Sequence, residues 1–226
     1  MTQRGNRRQD PFFSDDDYTV YRGLVAEACR ADDVRCIAWC LMPNHVHLIL
    51  MPSAADGLCA ALADAHRRYS RRINFAHGWT GYLFQGRFAS YPMDTAHLKT
   101  AIRYVELNPV KAKLAEDWRW SSAGAHVTGR GDEFTDLSAL AGVYRNWRAM
   151  LRRGLEAGDI SGEAEAAIEA HQRTGRPWGS AAFVQELERR MGAADLAEAG
   201  TKANAAERRN KIGIVSPKLR SRVSFR

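Results

Sequence analysis

The longest apolar run of the chain, Cys36 to Met51, is broken by Pro43-Asn44 and then by His45 and His47. A membrane helix needs about 20 uninterrupted apolar residues, so this run is not one. Pro-Asn is turn chemistry, and the flanking residues are rich in strand formers. The run therefore reads as two strands, Val34 to Met42 and His45 to Met51, folded back as a β-hairpin that Pro52 and Ser53 close.

Helical patterns surround the hairpin. Ser14 is an N-cap candidate before Asp15-Asp16-Asp17, and Tyr18, Tyr21, Val25 and Ala28 then keep helical spacing to about Arg30. From about Gly57 to Ala76, Leu58, Leu62, Ala65, Tyr69, Ile73 and Ala76 line one helix face and Arg67, Arg68, Arg71 and Arg72 another. Tyr82 to Tyr91 is a strand candidate interrupted by Gly86. Asp94 can cap a helix from Thr95 that Asn108-Pro109 should end near Leu107. With Met1 to Arg4 as the end of a first strand, the order is β-α-β-β-α-β-α. Its first six elements are the ferredoxin-like split βαβ, an α+β fold with an antiparallel sheet and helices on one face. Beyond Trp120-Ser121-Ser122 the chain turns helical, best over Trp147 to Leu155 and Ala181 to Met191, with Gly175-Arg176-Pro177 between them. We divide it into a catalytic-type domain (1–125), a helical C-terminal extension (126–199) and a basic, mobile tail (200–226).

Composition narrows the class. Of 226 residues, 45% are hydrophobic and 26% charged, which excludes a disordered or collagen-like chain. Cys29, Cys36, Cys40 and Cys59 match no zinc-finger or CxxC spacing and read as free thiols of a reducing cytoplasm. MTQRGNRRQD has no apolar leader, so neither secretion nor a membrane partner is expected. The net charge of +7 is unevenly placed. Residues 66–113 carry nine Lys/Arg against Asp94 and Glu106, and residues 202–226 carry eight against Glu207, so each block has a net of +7. A polyanion is the natural partner, and the tail would act as a non-specific electrostatic arm.

Three groups could carry chemistry. His45 and His47 alternate onto one strand face about 7 Å apart and can converge on one metal ion, although on spacing alone a wet sheet surface is the commoner outcome. Tyr104 and Asn108, four apart on one helix, offer a phenol nucleophile and an amide oxygen ligand, or else a packed ring and a helix cap. Gln85-Gly86-Arg87 allows close backbone approach with an Arg that can hold a phosphate, or is a plain bulge. Trp79, Tyr82 and Phe84 nearby can stack on bases or fill the core.

The blocks MTQRGNRRQ, CLMPNHVHLIL, GYLFQGRFAS, RYVELNPVKAKL, WRWSSAGAH and GRPWGSAAFVQELE, in this order, resemble the REP-associated tyrosine transposases. These are the bacterial, IS200-like branch of the single-tyrosine histidine–hydrophobe–histidine (HUH) transposases. The resemblance implies metal ligands His45, His47 and Asn108, nucleophile Tyr104, and Mg²⁺ or Mn²⁺ as cofactor; imidazole ligands by themselves would suit Zn²⁺ equally. It implies single-stranded or hairpin DNA as partner, cleaved and rejoined beside palindromic hairpins through a 5′-phosphotyrosine, in a bacterial cytoplasm at the nucleoid. Arg67, Arg68, Arg71, Arg72, Gln85, Arg87 and Arg103 would track the DNA, and Gln3, Arg4 and Asn6 would read a short guide. It implies residues ahead of the QRGN block as well, so a sheet edge here would be poorly paired. Related enzymes with two active sites are dimers; the long C-terminal part suits a monomer. Neutral imidazole ligands imply that activity falls below about pH 6, and with both histidines pointing off the core face, neither should be needed for folding. Two other classes stay open: a domesticated hairpin-DNA-binding regulator that does not cleave, and a metal-dependent phosphodiesterase without a covalent intermediate.

Overall fold

A computed structural model describes residues 1–112, 114, 118–140, 146–156 and 162–191; the basic tail from residue 200 lies outside them. The elements are β1 (Thr2–Arg4), α1 (Asp15–Ala31), β2 (Val34–Met42), β3 (His45–Pro52), α2 (Gly57–His77), α3 (Thr95–Lys111), α4 (Ala123–Thr128), α5 (Trp147–Glu156), α6 (Gly162–Thr174) and α7 (Ala181–Met191). Both hairpin strands form, in the register Met42↔His45, and the sheet is antiparallel with order β1-β3-β2.

Residues 82–91 run beside β1 without making a regular strand. Gly81 and Gly86 take positive φ of 97° and 98°, which breaks the pleat. Isolated pairings remain at Thr2↔Ala89 and Gly5↔Phe84, so β1 is paired on both sides and the expected bare edge is absent at that strand. At the opposite edge, Trp120 and Ser122 exchange backbone hydrogen bonds with Leu41 and Trp39 and cover β2.

Helices cover both faces rather than one. Ser14 accepts from the Asp17 N–H and three aspartates follow it, so α1 starts where its cap dictates. Tyr18, Tyr21 and Val25 of α1 and Leu62, Ala65, Tyr69 and Ile73 of α2 then pack on Trp39, Leu41, Val46 and Leu48. On the other face, Ala101, Ile102, Tyr104 and Val105 of α3 pack on Ile37, Cys40, Met42 and Ile49, joined by Trp147 of α5 and Ile168 of α6. The alternation of β3 fixes this division, with Val46 and Leu48 on one side and His47 and Ile49 on the other.

Asp94 caps α3 through the His97 N–H as expected, but the helix runs through Pro109 to Lys111. Proline removes one donor and leaves the acceptors, and the Asn108 and Pro109 carbonyls accept from Ala112 and Leu114. The extra turn keeps Asn108 helical, directly beside Tyr104.

A buried polar cluster ties α3 to the extension. One Glu106 carboxylate oxygen accepts from Ser122 Oγ at 2.9 Å and from His126 Nδ1, and the His126 ring stacks on Trp147 at 4.2 Å. The Glu106 and His126 side chains are 0% and 1% exposed. Truncating one partner strands the other without water. Glu106→Ala is therefore expected to lower the unfolding free energy by about 3–5 kcal/mol in a denaturant titration. A loss below about 1 kcal/mol, the worth of an exposed pair, would refute this reading of the cluster.

Candidate metal and nucleophile site

The expected quartet meets where β3 lies under α3. The His45 and His47 rings are 4.7 Å apart between centroids, and His47 meets the Tyr104 ring edge-on at 5.5 Å. Asn108 Nδ2 lies 3.5 Å from His47 Nε2, and the Asn108 side chain hydrogen-bonds Tyr104. β1 adds Thr2 opposite His47 and Arg4 opposite His45. Lys111 Nζ sits 5.8 Å over the Tyr104 ring and pairs with Glu165 of α6 at 2.9 Å.

Burial sets the protonation states. His45 is held down to about 4 by desolvation and then by the Arg4 charge. His47 is driven well below the ordinary imidazole value by desolvation first and by His45 next. Both are neutral at pH 7, as metal ligands must be. Tyr104 is shifted up, chiefly by desolvation, with Glu169 and Glu165 adding to the rise and Asn108 and Arg4 opposing it. It is a protonated phenol that needs a nearby cation to ionise.

Two imidazole nitrogens and an amide that can turn its oxygen inward are three neutral donors in one neighbourhood. They fit a divalent cation and would leave its charge uncancelled for a phosphate. No cluster of three or more His, Cys, Asp or Glu with metal-binding potential occurs among the described residues, so a three-ligand site at this place would draw its third donor from Asn108.

His47 is 2% exposed. The expectation that both histidines stand off the core is corrected for it, because α3 closes over that face of the sheet. Gln3 also departs from expectation: it faces the α1–α2 side opposite Val46, is 4% exposed, and gives its amide to the Gly86 carbonyl. Asn6 spends its amide on the Tyr82 carbonyl. The arginines of α2 lie across the sheet from Tyr104. Arg67 pairs with Asp64, Arg68 with Glu27 and Asp64, and Arg72 with Asp16, while Arg71 is exposed. Gln85 and Arg87 are exposed beside β1, and half-buried Arg103 adjoins Tyr104 on α3. Phe84 is core, Tyr82 is 86% exposed, and Trp79 stacks on His77 at 4.7 Å. Sequence reasoning missed Thr2, which strand alternation from Arg4 would have found, and the α6 residues Ile168 and Gln172, which line the pocket of Tyr104 and His47.

Residues 4–108 match the family model described as IS200-like transposase. This segment is similar to the IS200-like transposases. All four residues of the quartet lie inside it. A Haemophilus influenzae protein named as a REP-associated tyrosine transposase is similar to this chain at 24% identity over 116 residues. That match spans 45% of this chain and 66% of the relative, less than two thirds of its length. A solved structure of a REP-associated tyrosine transposase bound to a REP hairpin aligns over 61% of this chain and 87% of its own, at 23% identity and a TM-score of 0.45. Among the described residues no helix is long and apolar enough to cross a membrane.

Proposed function

We propose that the protein is a metal-dependent, single-strand DNA transposase that cleaves and rejoins DNA beside palindromic hairpins. The observation that carries this is the chain of contacts that joins His45 to His47, and His47 to both Tyr104 and Asn108, inside a segment similar to IS200-like transposases. The H. influenzae relative and the hairpin-bound structure bear names that fit the same reading.

His45 Nε2, His47 Nε2 and an Asn108 amide oxygen would hold Mg²⁺ or Mn²⁺. Bound there, the cation supplies positive charge that favours the phenolate and polarises the scissile phosphate. Tyr104 Oη attacks phosphorus in line; the Oη–P bond forms as the P–O3′ bond breaks, and the departing O3′ takes up a proton. The resulting 5′-phosphotyrosine keeps the energy of the broken bond, so a 3′-OH can reverse the step without ATP. Asn108 orients the phenol before attack, and Arg4 and Lys111 provide positive charge at the rim. Tyr104 is 7% exposed, so the pocket it shares with Ile168 and Gln172 must open to admit a phosphate.

The test is cleavage of hairpin-flanked single-stranded DNA with Mn²⁺, at pH 7 and pH 5.5, with a chelated control. Cleavage is expected only with metal. A neutral imidazole is the metal-binding form, and a depressed pKa extends that form to lower pH. Ordinary imidazoles would be about 90% protonated at pH 5.5, whereas His45, held near 4, stays neutral. The expected loss near pH 6 therefore moves down toward pH 4, and Mn²⁺ affinity at pH 5.5 should stay within a few-fold of that at pH 7. Metal-independent cleavage, or a tenfold or greater fall in affinity per histidine, would contradict this.

A further inference from the structure

The remaining nitrogens of the two imidazoles are both engaged. His45 Nδ1 lies 2.6 Å from Asn44 Oδ1, and His47 Nδ1 lies 3.1 Å from Thr2 Oγ1. An amide oxygen only accepts, so the proton of neutral His45 is on Nδ1. The Asn108 amide nitrogen faces His47 Nε2, and an amide nitrogen only donates. His47 Nε2 is then the acceptor, its proton is on Nδ1, and Thr2 Oγ1 accepts it.

We infer that Asn44 and Thr2 are positioning residues that hold His45 and His47 as Nδ1–H tautomers, Asn44 through an oxygen that only accepts and Thr2 by accepting the proton that the Asn108 amide keeps off Nε2, which leaves the Nε2 lone pair of each for a metal. The two locks come from different elements, the hairpin turn and β1. Asn44 also accepts the Gly5 N–H through its carbonyl at 2.9 Å, so the turn that sets its side chain is tied to the end of β1. The resemblance of the sequence to a transposase assigns neither residue a role. This inference rests on the reading of His45 and His47 as metal ligands, where a locked tautomer spares the site a proton rearrangement on binding.

The experiment is a long-range ¹H–¹⁵N correlation on histidine-labelled, metal-free protein, which reads the ring nitrogen that carries each proton, followed by a Mn²⁺ titration. Wild type should show Nδ1–H at both residues. Asn44→Ala should move His45 toward Nε2–H and leave His47 alone, and Thr2→Val should do the reverse. Asn44→Asp and Thr2→Ser keep an accepting oxygen and should restore the wild-type tautomers, which a merely structural role would not require. Mn²⁺ affinity should fall about 10–100-fold in Asn44→Ala and Thr2→Val. Wild-type imidazoles protonated at Nε2, or an unchanged His45 in Asn44→Ala, would overturn the lock. A lock that behaves as expected in protein that takes up no Mn²⁺ would instead sink the metal assignment, because the tautomers are read without metal.

Discussion

Tyr104→Phe is expected to abolish DNA cleavage, by at least about 10³-fold, because the phenol oxygen is the atom that forms the bond to phosphorus. The phenyl ring keeps its edge-on contact with His47 and its place in the α3 core. What is lost is one hydroxyl and its hydrogen bond to Asn108, worth about 1 kcal/mol of stability. Hairpin-DNA affinity should stay within a few-fold of wild type, since binding draws on the cationic surface and not on the phenol. Gel-resolved cleavage and a binding titration on the same preparation check both halves. Wild-type cleavage by the variant would remove Tyr104 from the mechanism, and parallel loss of binding and cleavage would point to a role in docking. A domesticated regulator, by contrast, would bind equally well and cleave in neither form.

The histidines should separate in an informative way. His45→Ala should remove metal-dependent cleavage at little cost to folding, because His45 sits at the rim of the site with partial exposure. His47→Ala should remove cleavage and also destabilise the fold by about 2–4 kcal/mol, because it opens a cavity beneath α3 and strands the Thr2 hydroxyl. Calorimetry with Mn²⁺ should show the affinity of either variant reduced more than about 100-fold, beyond the loss of an outer-shell partner. Equal Mn²⁺ binding by His45→Ala and wild type would place the metal elsewhere.

Most of this site was legible before any coordinates. Alternation on a strand puts His45 and His47 on one side, and helical spacing puts Tyr104 and Asn108 on one side. Only the fold could say that these two sides face each other, because that depends on α3 crossing the sheet face left open by α1 and α2. The same unseen crossing explains two of the errors, the burial of His47 and the depressed imidazoles that follow from it. Pro109 was read as a stop since proline usually ends a helix, yet a residue near the last turn loses only one donor there. The α2 arginines were a correct amphipathic face, and Asp64, three and four residues before Arg67 and Arg68, was a legible partner, whereas Asp16 and Glu27 meet them only because α1 packs beside α2. Gln85 and Arg87 are at the surface as read, whereas Gln3 is internal, its amide drawn in by the exposed carbonyl of Gly86.

The most direct measurement is the chemical identity of the protein–DNA link. The full chain is incubated with hairpin-flanked single-stranded DNA and Mn²⁺, denatured, digested with protease and nuclease, and the nucleotide-bearing peptide is sequenced by mass spectrometry. The account predicts a 5′-phosphate ester on the oxygen of Tyr104 and no adduct in Tyr104→Phe. Cleaved DNA with no covalent peptide, or with the phosphate on another residue such as Tyr91, would contradict it.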